Sequence, residues 1–147
     1  MATGATVEAI DLPFQEAIDF FAQKANVATH AWTDVWQEAH ARAFMVAGAA
    51  SEALVEDFRQ AIHKAIADGT TLAEFRKDFD RIVEKRGWTG WTGEGTEAGR
   101  AWRTRVIYET NLNMAYAAGR YAQMTDPDVL RGDPYWVYRQ SGNPHPR

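Results

Sequence analysis

The sequence predicts a mainly α-helical fold, a bundle of four to five helices in one domain of 147 residues. Apolar residues recur every three or four positions in several segments, which is the period of an amphipathic helix. Glycines and capping residues bound these segments at the places where helices begin and end. One short segment near the C-terminus has the aromatic and β-branched composition of a strand.

The first two helices are predicted over residues 12–24 and 33–48, which read LPFQEAIDFFAQK and TDVWQEAHARAFMVAG. Pro13 falls in the first turn of the first helix, where its missing N–H would have no partner in any case. The apolar side of this helix comprises Phe14, Ala17, Ile18 and Phe21. The apolar side of the second comprises Trp32, Trp36, Ala39 and Ala43. Gly48 is the predicted end of the second helix.

The third and fourth helices are predicted to form an antiparallel hairpin. Ser51 is a candidate N-cap for SEALVEDFRQAIHKAIADG, and Gly69 is a C-terminal signal. Thr71 and Glu74 match a capping box at the start of the next helix, which ends at Gly87. The two apolar stripes are Leu54, Phe58, Ile62 and Ile66, and then Phe75, Phe79, Ile82 and Val83. Because the connection DGTT is short, the two helices should be antiparallel neighbours.

A glycine-rich loop over residues 87–99 separates this hairpin from a long C-terminal helix that begins near Arg100 and ends at the sequence TDPD. The predicted apolar side of the long helix comprises Trp102, Val106, Thr110, Met114, Ala117, Tyr121 and Met124. Residues 135–138 are predicted to form one short terminal strand. A strand needs a pairing partner, and the sequence shows no second good strand.

These elements divide the chain into three parts. Residues 1–11 are predicted to form a flexible N-terminal arm, and residues 12–125 a helical domain that includes the loop. Residues 126–147 are predicted to form an extended tail, the start of a truncated C-terminal subdomain. We therefore expect the partner of the terminal strand to lie downstream of residue 147.

Composition excludes several classes of function. The chain has no cysteine, so disulfides, thiolate metal ligands and cysteine nucleophiles are excluded. No apolar run approaches the roughly 18 residues that span a bilayer, and the N-terminus lacks a signal-peptide pattern. We therefore expect a soluble protein of a reducing compartment, with no membrane partner.

The net charge of −4 is unevenly distributed. Residues 1–99 carry 9 Lys and Arg against 16 Asp and Glu, whereas residues 100–147 carry 7 arginines against 4 acidic residues. This asymmetry is compatible with docking between the two halves, with simple solvation, or with an external acidic partner.

The glycine-rich loop lacks the residues of a nucleotide site. A Walker loop needs a lysine followed by serine or threonine, and here Glu94 and Glu97 stand where phosphate charge would lie. Trp88 and Trp91 have two interpretations. They either pack on the helical core or remain exposed as anchors for a partner.

Three arginines cluster at the start of the long helix: Arg100, Arg103 and Arg105. Cations there oppose the helix dipole, so an acidic partner is expected nearby. Glu94 or Glu97 could supply it from the loop, and another subunit or DNA could supply it from outside.

The histidines do not have the spacing of a metal site: His30, His40, His63 and His145. No serine stands in a nucleophile elbow. We therefore expect no enzymatic activity, no cofactor and no metal.

Five segments occur in an order that is more specific than any chemical motif above: LPFQEAIDFFAQK, HARAFMVAG, GTTLAEFRKDFDRIVEKRGW, WRTRVIYETNLNMAYAAGRYAQM and PYWVYRQSGNPHPR. Over residues 12–147 the chain thereby resembles the phage head morphogenesis proteins of the Mu F type. The resemblance implies a mostly helical fold, in agreement with the periodicity.

The resemblance also implies a minor head protein of a phage or prophage, acting structurally in capsid assembly and in DNA packaging or delivery near the portal. The implied partners are the portal and the major capsid protein, with packaged DNA as a further candidate. The implied location is the interior of the virion head, and the bacterial host cytoplasm during assembly. The candidate partner contacts are Trp88, Trp91, Arg100, Arg103, Arg105, Arg139, His145 and Arg147.

Two alternatives remain open. One is a nuclease-like or toxin-like enzyme domain, whose candidate residues would be Arg139, His145 and Arg147. The other is a protein that contacts DNA inside the head. Relatives of the Mu F type commonly continue past the point that matches NPHPR with a further histidine and a segment rich in Pro, Gly and Cys. A metal or enzymatic role tied to that segment is therefore not assigned to these residues.

Overall fold

The computed structural model describes residues 13–31 and 42–137. They form five helices and two short strands, in the order α1 (Gln15–Ala22), β1 (Ala25–Asn26), β2 (Ala43–Phe44), α2 (Glu52–Asp68), α3 (Leu72–Arg86), α4 (Glu97–Met124) and α5 (Pro127–Gly132). The predicted mainly α-helical class is confirmed. The predicted arm over residues 1–11 lies outside the described residues.

Helices α2 and α3 form the predicted antiparallel hairpin. Asp57 in the second turn of α2 bonds to Arg86 in the last turn of α3, and Lys64 pairs with Asp78 at 3.8 Å in the middle of both helices. Such pairing requires the two helices to run in opposite directions. Gly69 ends α2 with a φ of 69°, a conformation that glycine adopts without strain.

The two helix starts differ in how they are capped. Thr71 Oγ1 accepts a hydrogen bond from the Glu74 N–H at 3.3 Å, and the Glu74 carboxylate accepts one from the Thr71 N–H at 2.8 Å. The predicted capping box is therefore confirmed. Ser51 occupies the N-cap position of α2 in an extended conformation, but its side chain makes no capping hydrogen bond.

The core is built around fully buried phenylalanines: Phe21, Phe44, Phe58, Phe75 and Phe79. Phe58 and Phe79 stack across the hairpin with ring centroids 5.3 Å apart. Phe21 of α1 meets Phe44 of β2 edge-on at 5.5 Å. The aromatic core therefore joins α1 and β2 to the hairpin.

The predicted helix over residues 33–48 is wrong in its second half. Residues 43–44 form strand β2, which pairs in parallel with β1 so that Ala25 is opposite Ala43. The Ala25 N–H donates to Arg42 O at 3.0 Å, and the Val27 N–H donates to Phe44 O at 2.9 Å. Pairing with a distant segment thus overrides the local helical pattern. Residues 33–41 lie outside the described residues.

Helix α4 confirms the predicted long helix but buries a different side. Its buried residues are Arg103, Thr104, Ile107, Leu112, Ala115 and Gly119. The predicted stripe instead lies largely in solvent, since Trp102 is 51% exposed and Tyr121 is 58% exposed. The apolar residues of α4 surround the helix, so periodicity alone did not identify the side that the core covers.

Helix α4 approaches α1 closely at a glycine. A Cβ atom added to Gly119 would lie 2.7 Å from Phe14 Cζ and 2.9 Å from the Ala17 nitrogen. Phe14 also stacks on Tyr116 of α4, with ring centroids 5.9 Å apart. This contact holds α1 against the C-terminal third of α4.

The predicted terminal strand is not present over residues 135–137, and Tyr138 lies outside the described residues. Tyr135 is 87% exposed, and no described segment pairs with this stretch. Residues 127–132, which were predicted as part of an extended tail, instead form α5. Asp126 caps α5 by accepting a hydrogen bond from the Asp128 N–H at 2.8 Å.

Candidate partner-binding site

The two loop tryptophans fold back onto the helical core. Their rings stack with centroids 5.6 Å apart. Trp91 meets Phe79 edge-on at 5.2 Å, and Trp88 meets Phe58 at 5.5 Å. Because Trp91 is only 5% exposed, its interpretation as an exposed anchor is wrong and the packing interpretation is correct. Trp88 is half-buried and keeps part of its ring at the surface.

Two hydrogen bonds hold the loop between α3 and α4 in this position. The Glu94 carboxylate accepts from the Gly90 N–H at 2.6 Å, and Trp88 Nε1 donates to Gly48 O at 3.3 Å. Gly93 has a φ of 99°, and a Cβ there would lie 2.5 Å from Gly99 O. Glycine is therefore required where the loop closes on the start of α4.

Arg100 lies over the buried tryptophan and pairs with α3. Its guanidinium carbon is 5.5 Å from the centroid of the Trp91 ring, and its Nη2 is 2.9 Å from an Asp80 carboxylate oxygen. The acidic partner expected from the loop, Glu94 or Glu97, is therefore wrong for Arg100. The reason is tertiary: α3 passes beside the first turn of α4 and brings Asp80 within reach.

Arg103 is a largely buried side chain, with 8% of its surface exposed. Its Nη2 donates to the backbone carbonyl of Ala47 at 2.5 Å. Burial lowers the pKa of the Arg103 guanidinium below its usual value. Within the part of the chain that the structure describes, Arg103 forms no ion pair, and its Nε has no hydrogen-bond partner.

The remaining predicted contact residues lie apart from these. Arg105 is exposed on α4 and approaches Glu109 at 3.9 Å, a weak surface pair. The other three fall outside the described residues: Arg139, His145 and Arg147.

A surface cleft of about 450 Å³ opens beside the loop. Its walls come from residues 30–31, 47–48, 88–92 and 102–103. Three of these wall residues are tryptophans, Trp88, Trp91 and Trp102, and Arg103 adds a cation. Among the described residues that line the cleft, none is an aspartate or a glutamate. We call this surface the tryptophan cleft.

The structure thus brings four of the eight predicted contact residues to one place: Trp88, Trp91 and Arg103 line the cleft, and Arg100 lies over Trp91. The sequence analysis missed the walls formed by residues 30–31 and 47–48, because no local pattern brings these segments to the loop. It placed Trp102 on the core side of the long helix.

Two further observations limit the chemistry of the described residues. Among residues 13–31 and 42–137, no group of three or more His, Cys, Asp or Glu side chains is arranged to hold a metal ion. None of the described helices is both long enough and apolar enough to cross a membrane.

The described fold is mainly helical, and its cleft is lined by aromatic side chains and by Arg103. The chain is 36% identical over 135 residues to the putative capsid assembly protein F of Escherichia phage Mu, an alignment that covers 86% of this chain and 30% of that protein. It is also 36% identical over 111 residues to the Mu-like prophage FluMu F protein of Haemophilus influenzae, covering 73% and 26%. The chain belongs to the Mu F-like family.

The chain spans less than a third of the length of these relatives. No protein-family profile matches it. No solved structure matches it either.

Proposed function

We propose that this chain acts structurally in the assembly of a phage or prophage head, by binding other head proteins near the portal. The observation that carries this proposal is its 36% identity, over 86% of its length, to a protein named as a capsid assembly protein. In this proposal its direct partners are the portal and the major capsid protein, it resides inside the head, and its contacts contribute to DNA packaging or delivery.

The exposed side of α4 supports a role in protein binding. Four large apolar side chains lie in solvent along this helix: Trp102, Val106, Tyr121 and Met124. The surface continues onto Trp136, which meets Tyr121 edge-on at 5.9 Å and is itself 58% exposed. Extended apolar surfaces of this kind on a protein commonly mark interaction sites.

The proposal also states that the chain has no catalytic activity of its own. Incubation of the purified chain with DNA and RNA, with and without divalent metal ions, tests this directly. We expect no turnover. Turnover that is abolished by His145→Ala would contradict the structural role and would favour the nuclease-like alternative.

Co-purification tests the assembly role. The tagged chain is co-expressed with the portal and with the major capsid protein of the same phage or prophage, and particles are analysed by quantitative mass spectrometry. We expect the chain in purified heads and bound to at least one of these two proteins. Its absence from particles, together with no binding to either protein, would overturn the proposal.

A matched pair of variants localises the interface. Tyr121→Ala combined with Met124→Ala removes two exposed apolar side chains from α4, so partner binding should weaken while the melting temperature changes little. Gln123→Ala in the same helical turn removes an exposed polar side chain and serves as the control. Salt dependence of binding distinguishes DNA from protein, because contacts with phosphates weaken steeply as salt is raised.

A further inference from the structure

We propose that the tryptophan cleft binds the carboxylate of an acidic side chain that a partner protein inserts into it. The inference rests on the proposed function only for the source of that side chain, which would be another head protein. Carboxylate binding itself is a property of this chain and can be measured without any phage protein.

The unpaired charge of Arg103 is the first argument. Two other arginines that pack on the described fold have carboxylate partners, Arg86 in Asp57 and Arg100 in Asp80. Arg59 and Arg76 bond to neutral groups, but both are less buried than Arg103. Arg103 is more buried than any of these, yet among the described residues its guanidinium bonds only to the neutral carbonyl of Ala47. A buried cation without a counter-ion is costly, so an anion that reaches it is bound favourably.

Unsatisfied donors are the second argument. Trp91 Nε1 and Arg103 Nε are buried N–H groups that have no hydrogen-bond partner in the described part of the chain, and both belong to residues that line the cleft. Native structures rarely leave such donors unpaired. A carboxylate has two acceptor oxygens and no donor, so it is suited to donors of this kind.

The shape and composition of the cleft are the third argument. Its volume of about 450 Å³ lies within the range of ligand pockets. Trp88 and Trp102 provide an apolar wall for the methylene groups of a glutamate, and the described part of the lining contains no acidic residue that would repel the carboxylate. Because the chain has a net charge of −4, a single acidic side chain is a better occupant than a polyanionic nucleic acid backbone.

The test uses the full 147-residue chain and two capped tripeptides, one with glutamate between two leucines and the other with glutamine in its place. Nitrogen–proton NMR spectra follow the indole Nε1–H signals and the arginine Nε–H signals during each titration. We expect the glutamate peptide to shift the signals of Trp91 and Arg103. We expect the glutamine peptide to bind about tenfold more weakly or not at all, because it lacks the charge.

Two exposed tryptophans provide a matched pair of variants. Trp102→Ala removes a cleft wall that is 51% exposed, and Trp136→Ala removes a ring that is 58% exposed and outside the cleft. We expect about a tenfold loss of affinity for the glutamate peptide with the first, as for a hot-spot residue, and no change with the second. Both variants should keep the fold, because each removes a side chain that is more than half exposed. A change in peptide affinity therefore reports on the cleft and not on the stability of the protein.

Several results would overturn the assignment. They are equal shifts from both peptides, shifts confined to residues outside the cleft, or the same loss of affinity in both variants. Inorganic phosphate that shifts the same signals at lower concentration than the glutamate peptide would reassign the site to phosphate. If peptide binding fails while the chain is still found in heads, the proposed function stands without this cleft.

Discussion

Trp91 packs against the core on one side and against the side chain of Arg100 on the other. One edge of its ring packs on Phe79, while the Arg100 guanidinium lies 5.5 Å from its centroid. Its Nε1 remains without a hydrogen-bond partner among the described residues. Its burial contributes to folding, and its unpaired donor is the group that the proposed carboxylate would bind.

Trp91→Ala should therefore destabilise the protein by about 3–5 kcal/mol, the cost of truncating a buried aromatic side chain. Urea denaturation followed by circular dichroism measures this change. Trp136→Ala removes the same side chain at a site that is 58% exposed, and should cost no more than about 0.5 kcal/mol. Equal midpoints for the two variants would contradict the burial of Trp91.

The Asp57 carboxylate has two cationic partners at the end of the hairpin. Arg86 donates to its two oxygens at 2.6 and 3.1 Å, and Lys85 lies 3.5 Å away. The hydrogen bonds from Arg86 hold the pKa of the Asp57 carboxyl below its usual value near 3.8, because they stabilise the charged form. Folding therefore favours the ionised carboxylate.

A pH dependence of stability follows from this lowered pKa. The contribution of Asp57 is fully present above its unfolded pKa of about 3.9, and it is lost as the pH falls through the lower folded pKa. Asp57→Asn should reduce the free energy of unfolding at pH 7 and flatten its fall below about pH 5. In an Arg86→Gln background the same substitution should have a much smaller effect. An unchanged pH slope in the single variant would disprove this role.

At the scale of elements, the caps of α2 and α3 form a natural comparison. Both helices begin with a hydroxyl residue in extended conformation. Thr71 makes reciprocal bonds with Glu74, whereas Ser51 makes no side-chain capping bond. The residue type predicts a cap in both cases, but the hydrogen bonds are present in only one of them.

Thr71→Ala should cost about 1 kcal/mol, because it leaves the Glu74 N–H without its acceptor. Ser51→Ala should cost only a few tenths of that amount, since no capping bond is lost. Chemical denaturation of both variants under the same conditions checks the difference. A larger loss for Ser51→Ala than for Thr71→Ala would contradict the observed capping geometry.

At the scale of the whole molecule, the long helix α4 connects the parts of the fold. It packs on α1 at Gly119, and Tyr108 donates to Thr70 O at 2.7 Å next to the hairpin. Arg103 reaches Ala47, which is 56 positions earlier in the chain. One side of α4 thereby joins segments from most of the described sequence, while its other side remains in solvent.

Gly119→Ala should weaken the packing of α1 on α4, because the new methyl group would lie 2.7 Å from Phe14 Cζ and 2.9 Å from a backbone nitrogen. We expect a loss of about 1–3 kcal/mol, typical of overpacking, measured by thermal or chemical unfolding. Gly132→Ala is the control, since a Cβ at that position meets nothing within 4 Å. A higher free energy of unfolding for Gly119→Ala would contradict the close packing of α1 and α4 at this position.

The candidate site was predictable in its residues but not in its arrangement. Trp88, Trp91, Arg100 and Arg103 stand out in the sequence as a dense group of aromatic and cationic side chains. Which of them are exposed depends on the hairpin and on residues 47–48, which are distant in the chain. The exposure of Trp102 likewise follows from the way α4 packs and not from its own neighbours.

The sequence by itself determined the helical class, the hairpin and the helix ends at Gly69 and Gly87, because periodicity and caps act within a few residues. The tertiary structure decided that residues 43–44 pair with β1, that Arg103 is buried, and that the side of α4 with Tyr121 stays in solvent. These features depend on contacts between segments that are far apart in the chain. The free energy of those contacts outweighs the local helix or strand propensity, so it cannot be predicted from a short stretch of sequence.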